Sequence, residues 1–542
     1  MKTALLSRAG LCSAALFAAT AQAGQTPPAT RPPNIVFFIV DDMETTMCSF
    51  RPEGRGKVLT PNIDRLVREG VVLSGQYCLA PLCTPSRYSC LTGRYASRAT
   101  NQFFLQTTAK NDGQTYVEFN THITKDNATL PKLLQAGGYK TGMAGKNHVV
   151  DVDGLKKFQN FHASAKDPEN VSKLKANYDH VCQAMREIGF DYAASVYHNN
   201  PDFLGLGEVA VQNMDWITKG GVDFIDQFHN EPFYLYLATT VPHAPSQAKR
   251  SWNANPLITP LGYLDKPLDV QPPRETIPER LKTAGIPVTD PAANMLWIDD
   301  GLGALIAQIE KCGQMDNTII FFFNDQGQDS KGTVYQGGVY DPISVVWKKG
   351  GFPCGKTNNA LVANVDFAPT ILEMAGVPYD PTGFDGKSFL PLLNGATPPE
   401  ERVLYCELGY TRAVIKGGWK YLALRYPEKY ENMSLEKRQK ALDEYNAGRR
   451  SRDMRLVTED PTKPFSHLTP IPGGGDAERS STGAYPGYYD KDQLYHLSAD
   501  PNEQVNLAGN PEYADKLAEM KQELEKTIKT LPGTFGEFGK KL

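Results

Sequence analysis

Apolar residues in this chain gather into short unbroken runs separated by stretches of helical period. Asn34-Ile-Val-Phe-Phe-Ile-Val40 has no polar residue after its first, as a strand buried on both faces of a parallel sheet requires. Pro232-Phe-Tyr-Leu-Tyr-Leu-Ala238 and Thr318-Ile-Ile-Phe-Phe-Phe323 repeat the pattern. Between these runs, Thr60 as N-cap and Pro61 in the first turn predict a helix that stops at Gly70, with a strand near Val71 behind it. Thr129 to Ala136 reads as a short helix ended by Gly137-Gly138, and Tyr139 to Met143 as the next strand. Ala292 to Lys311 has the spacing of an amphipathic helix. Alternating strands and helices predict an α/β fold, a large, mostly parallel β-sheet sandwiched by helices.

Beyond Pro399 the pattern changes. Val403 to Glu407, Ala413 to Ile415 and Tyr421 to Arg425 are short strand candidates at hairpin spacing. Glu428 to Arg455 is a charged helical stretch, Gly473 to Tyr489 a Gly-, Ser- and Pro-rich loop, and Pro511 to Thr530 an amphipathic helix. The expected division is therefore an α/β catalytic domain over 34–400 and, over 401–542, a smaller subdomain with an antiparallel sheet and a terminal helix.

The start of the chain reads as a secretory signal, residues 1–23. Lys2 and Arg8 supply the positive region, Leu11 to Ala19 the apolar one, and Ala21-Gln22-Ala23 the cleavage site. Leu11 is too large to precede a lipoprotein cysteine at Cys12, so the expectation is a cleaved signal, a Pro- and Thr-rich linker over 24–33, and export to the periplasm or the outside. No later apolar run reaches the ~20 residues of a spanning helix. A net charge of −4 with dispersed Lys and Arg gives no basic stripe for nucleic acid.

Candidate chemistry lies just after the strands, where open α/β sheets bind ligands. Asp41-Asp42 follows the first run, Gly145-Lys146-Asn147-His148 the strand near Tyr139, Pro242-His243-Ala244-Pro245 the strand ending near Thr240, and Asn324-Asp325-Gln326-Gly327 with Lys331 the Phe-rich run. Asp41, Asp42 and Asp325 cannot share a site as bare carboxylates without a cation. With the Gln326 amide oxygen they make an all-oxygen set that selects Ca²⁺, or Mg²⁺, over zinc. Three carboxylates against a divalent ion still repel an anion, which Arg87, Lys146 and Lys331 correct. His198, and Lys249, Arg250 and Trp252 after the His243 loop, are candidates for holding an anionic carbohydrate. The other histidines read as structural.

Cys83-Thr84-Pro85-Ser86-Arg87, continuing to Leu91-Thr92-Gly93-Arg94, opens a helix and resembles the signature of the type I sulfatases, members of the alkaline phosphatase-like superfamily. In that family the cysteine becomes formylglycine, an aldehyde installed by a maturation enzyme. The resemblance implies that Asp41, Asp42, Cys83, Asp325 and Gln326 surround the metal and that Arg87 supports the aldehyde hydrate. It also implies that Lys146, His148, His243 and Lys331 serve the sulfate and the protons. Asp366-Phe-Ala-Pro-Thr370, Asp385-Gly-Lys-Ser388, Leu494-Tyr-His-Leu, Asp500-Pro-Asn-Glu503 and Asn506-Leu507 extend the likeness. Asn147, Gln326, Gln336 and Tyr340 depart from the residues usual at their positions. The implied activity is removal of sulfate from a sulfated glycan. A phosphonate monoester or phosphodiester hydrolase, and a glycan-binding relative without catalysis, are the alternatives.

Of nine cysteines, Cys12 leaves with the signal, and the remaining eight invite disulfides in an exported protein. An aldehyde at Cys83 leaves seven. A disulfide from Cys83 to Cys78 or Cys90 is the competing assignment, and no spacing suits a structural zinc site.

Overall fold

The computed structural model describes residues 31–348, 351–397, 401–451, 456, 458–462 and 483–539. The secretory-signal expectation, most of the linker, and parts of the 428–455 and 473–489 expectations lie outside the described residues.

The large sheet has eight strands: β1 (Asn34–Asp41), β2 (Val71–Leu73), β3 (Lys140–Lys146), β4 (Tyr192–Tyr197), β5 (Phe233–Pro242), β6 (Thr318–Asn324), β7 (Ser344–Lys348) and β8 (Lys356–Asn358). Their spatial order is β8-β2-β7-β6-β1-β5-β3-β4. From β6 to β4 every neighbouring pair is parallel, while β7 runs antiparallel to both β6 and β2. β1 sits centrally and is buried throughout. Its side chains alternate between two cores, with Ile35, Phe37 and Ile39 on one face and Val36, Phe38 and Val40 on the other. That explains why the sequence run is apolar without alternation.

Helices cover both faces. α1 (Pro61–Glu69), α4 (Met214–Phe228) and α5 (Asp290–Lys311) bury Ile63, Ile217 and Ile298 in one core. α2 (Cys83–Thr92), α3 (Leu130–Ala136) and α6 (Phe367–Ala375) bury Leu91, Leu134 and Ile371 in the other. The sequence assigns the cap of α1 to Thr60, but that side chain makes no cap bond. The Asp299 carboxylate from α5 accepts the Asn62 and Ile63 backbone N–H groups instead, at 3.0 and 2.8 Å. A long-range acid thus does the work of a local hydroxyl. Thr129 does cap α3, through Lys132 N–H.

The second sheet is an antiparallel meander of β9 (Leu404–Leu408), β10 (Thr411–Lys416), β11 (Trp419–Leu424) and β12 (Asp492–His496). One face, including Cys406, Ala413 and Leu422, joins a core of the large sheet. The other packs Val414, Tyr421 and Leu494 against Met520, Leu524 and Ile528 of α7 (Ala514–Ile528). The charged stretch forms two helices, Glu428–Glu431 and Leu435–Arg450.

Candidate active site

Register in the large sheet sets which strand ends meet. Val40 pairs with Asn324, Asp41 with Pro242, and Gly145 with Ala238, so Asp41-Asp42, Asp325, Lys146 and His243 emerge at one level. Gly145 has φ +90°, and a Cβ there would run into the Ala238 carbonyl, so only glycine lets the strand deliver Lys146 this close. Asn324 joins two of the loops, accepting from Met43 N–H at 2.8 Å and donating to the Met43 carbonyl at 3.0 Å. Asp42 and His148 hold φ values of 64° and 52°, strain of a kind that gathers at functional sites. Opposite this rim, α2 is buried along all ten residues. It presents Cys83 and, one turn later, Arg87 on the same face.

The side chains converge tightly. Cys83 Sγ lies 3.4 Å from Asp41 Oδ1, 4.0 Å from Asp42 Oδ1 and 3.7 Å from Lys331 Nζ. Arg87 bridges Asp41 at 3.3 Å and Asp325 at 3.0 Å. The Lys146 ammonium is paired with Asp41, and Lys331 grips both Asp42 oxygens at 2.6 Å. His243 Nε2 stands 3.5 Å from Asp42 Oδ2, while its Nδ1–H donates to the Ala244 carbonyl at 2.8 Å. Ligand atoms of Asp41, Asp42, Cys83 and Asp325 all lie within 4.8 Å of one another. None of the eight cysteines among the described residues is in a disulfide, Cys78, Cys83 and Cys90 included.

Burial and charge set the protonation of the cluster. Burial alone would raise Asp41, but Lys146, with His243 and Arg87, holds its carboxyl well below the usual carboxylate range. Asp325 goes the other way, pushed up by burial and by the Asp41 charge beside it. Burial also raises the Cys83 thiol, so the unmodified side chain is a poor nucleophile at neutral pH. His148 and His243 are both lowered, first by burial and then by Lys146. For both imidazoles burial favours the neutral form.

Residues 33–377 match the sulfatase family profile. The chain belongs to the sulfatase family. As a sulfatase it is a sulfuric ester hydrolase, and membership implies a formylglycine made from the signature cysteine and a divalent metal. An N-acetylglucosamine-6-O-sulfatase of Bacteroides thetaiotaomicron is 25% identical over 92% of this chain and 87% of its own. An N-acetylgalactosamine-6-sulfatase of Mus musculus is 24% identical over 93% of this chain and 88% of its own. The fold recurs in a structure solved in complex with its substrate D-glucosamine-2-N,6-O-disulfate (TM-score 0.55, 20% identity, 92% of this chain and 98% of that one). It recurs equally in the phosphonate monoester hydrolase of Agrobacterium radiobacter (TM-score 0.55, 14% identity, 93% of this chain and 97% of that one).

The residues present fit a divalent cation. Gln326 donates its amide N–H to Asp42 Oδ1 at 2.5 Å, and its buried Oε1 has no hydrogen-bond partner among the described residues. An orphaned acceptor among like charges is what a hard cation satisfies.

The remaining sequence candidates divide. His198 touches the site: its backbone carbonyl accepts His148 N–H at 2.9 Å. Arg250 donates through Nε and Nη2 to the Ala210 carbonyl, at 3.1 and 2.6 Å, and Trp252 Nε1–H donates to Asp290 at 2.9 Å. Lys249 is exposed. Two residues absent from the sequence reading do contact the cluster. Gln328 donates to Asp42 Oδ1 at 3.0 Å, and Asn200 Nδ2 lies 3.5 Å from His243 Nε2. Each is a polar residue in a loop following a strand, Gln328 after β6 and Asn200 after β4.

Proposed function

We propose that this sulfatase removes sulfate from a sulfated carbohydrate, using a formylglycine made from Cys83. The observation that carries the reading is the placement of Cys83 at the first turn of α2, within hydrogen-bonding reach of Asp41, Asp42 and Lys331. Here Sγ stands where the aldehyde oxygen of the matured residue would be. The relatives' names support an N-acetylhexosamine 6-sulfate as the first substrate to try.

Asp41, Asp42, Asp325 and Gln326 would hold the cation, Ca²⁺ in this proposal because carboxylates and an amide carbonyl suit its larger oxygen shell; Mg²⁺ is the other outcome of a metal analysis. When bound, that ion supplies Lewis acidity, and the hydrated aldehyde supplies one hydroxyl for attack on sulfur and a second for exit. Arg87, Lys146 and Lys331 balance the three carboxylates, so the loaded site is net positive toward an anionic ester. Lys146 and Lys331 face the sulfuryl oxygens. His148, held neutral by burial, takes the proton of the second hydroxyl. His243 serves the leaving oxygen. It must first gain a proton at Nε2, which an anionic substrate beside it favours.

In the same proposal residues 34–400 carry the chemistry, and 401–542 form the smaller subdomain. Residues 1–23 direct export, and a separate maturation enzyme modifies Cys83. No helix among the described residues is long and apolar enough to cross a membrane. The test is kcat/KM on N-acetylglucosamine 6-sulfate and N-acetylgalactosamine 6-sulfate beside a phosphonate monoester and a phosphodiester. Sulfate esters are expected to dominate; a dominant phosphodiester rate would overturn the assignment.

A further inference from the structure

Two loops form a wall beside the catalytic histidines. The loop at 117–122 lays the Phe119 ring against the His148 imidazole, with centroids 5.6 Å apart and planes within 16°. Phe119 is nonetheless 42% exposed. The loop after β4 reaches the centre at two points, through the His198 carbonyl on His148 N–H and through Asn200 near His243. Further along it, Phe203 packs on His198 at 4.8 Å, and the Lys157 ammonium sits 4.2 Å above the Phe203 ring. Lys157 is exposed, and no carboxylate among the described residues pairs with it. Asp151, Asp153 and Asp202 lie exposed on the flanking segments without an ion pair to it.

This combination calls for a ligand. An exposed phenyl ring at the edge of a site offers a flat apolar face, the surface on which the C–H face of a sugar stacks. The ammonium is held over an aromatic ring, which fixes its position without neutralising its charge. The ring reaches the centre through His148, and the cation through Phe203 and His198; His148 and His198 are joined by a backbone hydrogen bond. We propose that Phe119 and Lys157 form a subsite for a second sugar unit bearing a carboxylate or sulfate, next to the sugar that is desulfated. The inference rests on the carbohydrate sulfatase reading and sharpens it: the enzyme acts on oligosaccharides in preference to the free monosaccharide.

The experiment compares the two N-acetylhexosamine 6-sulfates as free sugars and as disaccharides with a neighbouring uronate, using wild type, Lys157→Gln and Phe119→Leu. Wild type is expected to favour a disaccharide over its monosaccharide. In each variant the ratio of disaccharide to monosaccharide kcat/KM should fall about tenfold, through KM, the scale of one lost charge-assisted contact. For Lys157→Gln the salt dependence of the disaccharide KM should weaken as well. A wild type with no disaccharide preference overturns the subsite. So does a ratio unchanged in both variants, or a loss of kcat of equal size on both sugar lengths, which would assign the two residues to support of His148. Failure of the parent reading shows differently, as a wild type inactive on all four sugars yet active on a phosphodiester; that result refutes both.

Discussion

Asp366 and Asp325 are both buried aspartates in the same α/β framework, and they are held in opposite ways. Asp366 accepts from Ala363 N–H at 2.7 Å, from Lys387 N–H at 2.8 Å and from both Arg402 terminal nitrogens at 2.6 Å. Each oxygen has two donors. Asp325 accepts from Arg87 and Asp42 N–H, but it stands against Asp41 and Asp42, beside a backbone in the left-handed region at Asp42. The first carboxylate is saturated and staples the start of β9 and the 385–388 turn to α6. The second has one donor per oxygen and stands among like charges. The comparison teaches that burial and charge alone do not mark function. What differs here is the crowding of several acids and an orphaned amide oxygen around one reactive side chain.

The largest effect that tests this contrast is catalytic. His243→Ala should lower kcat on a sugar sulfate by about 10²–10⁴-fold, the range of a lost proton carrier, and lower it much less on an aryl sulfate whose leaving group needs no proton. Equal losses on both would remove His243 from the leaving oxygen. On the saturated side, Arg402→Ala strips the fork from Asp366. It should cost about 3–5 kcal/mol of stability in a denaturant titration, the scale of a buried acid left uncompensated, with turnover per folded molecule kept. A midpoint that does not move would mean that the staple is dispensable.

A smaller effect appears with pH. Burial lowers His198 to about 4, so the unfolded chain protonates first, near its ordinary value of about 6.5. Stability is therefore full above that value and is lost as pH falls through about 4, by on the order of 3 kcal/mol from this group. His198→Asn should flatten that part of the stability profile; an unchanged profile would leave the loss to other groups. Smallest is Gln326→Ala, which keeps the carboxylates and removes the orphaned oxygen. Metal affinity measured by competition with a chelator should weaken about 10–100-fold, the scale found for groups that tune a metal site. Unaltered affinity would take Gln326 out of the ligand set.

The central sheet was legible because β1 and β6 are buried on both faces and therefore carry unbroken apolar runs. β7 was not, since Val345-Val346-Trp347 is too short a run to separate from a loop. β4 was missed for a related reason: it lies at the sheet edge and is only half-buried at its start. Thr60 does hold the N-cap position of α1, but the acceptor that serves its first N–H groups, Asp299, comes from 237 residues away, beyond any local pattern. At the site, Asp41, Lys146, His243 and Asp325 were readable from their positions just after strands. Gln328, Asn200 and Phe119 come from loops of no fixed period, so only the folded chain brings Gln328 to Asp42, Asn200 to His243 and Phe119 to His148.

Peptide mass analysis across Cys83-Thr84-Pro85-Ser86-Arg87 in active enzyme tests the central claim most directly. The account predicts the mass shift of a thiol exchanged for an aldehyde at Cys83, with the modified fraction rising and falling with specific activity. An intact Cys83 thiol in fully active enzyme would contradict it.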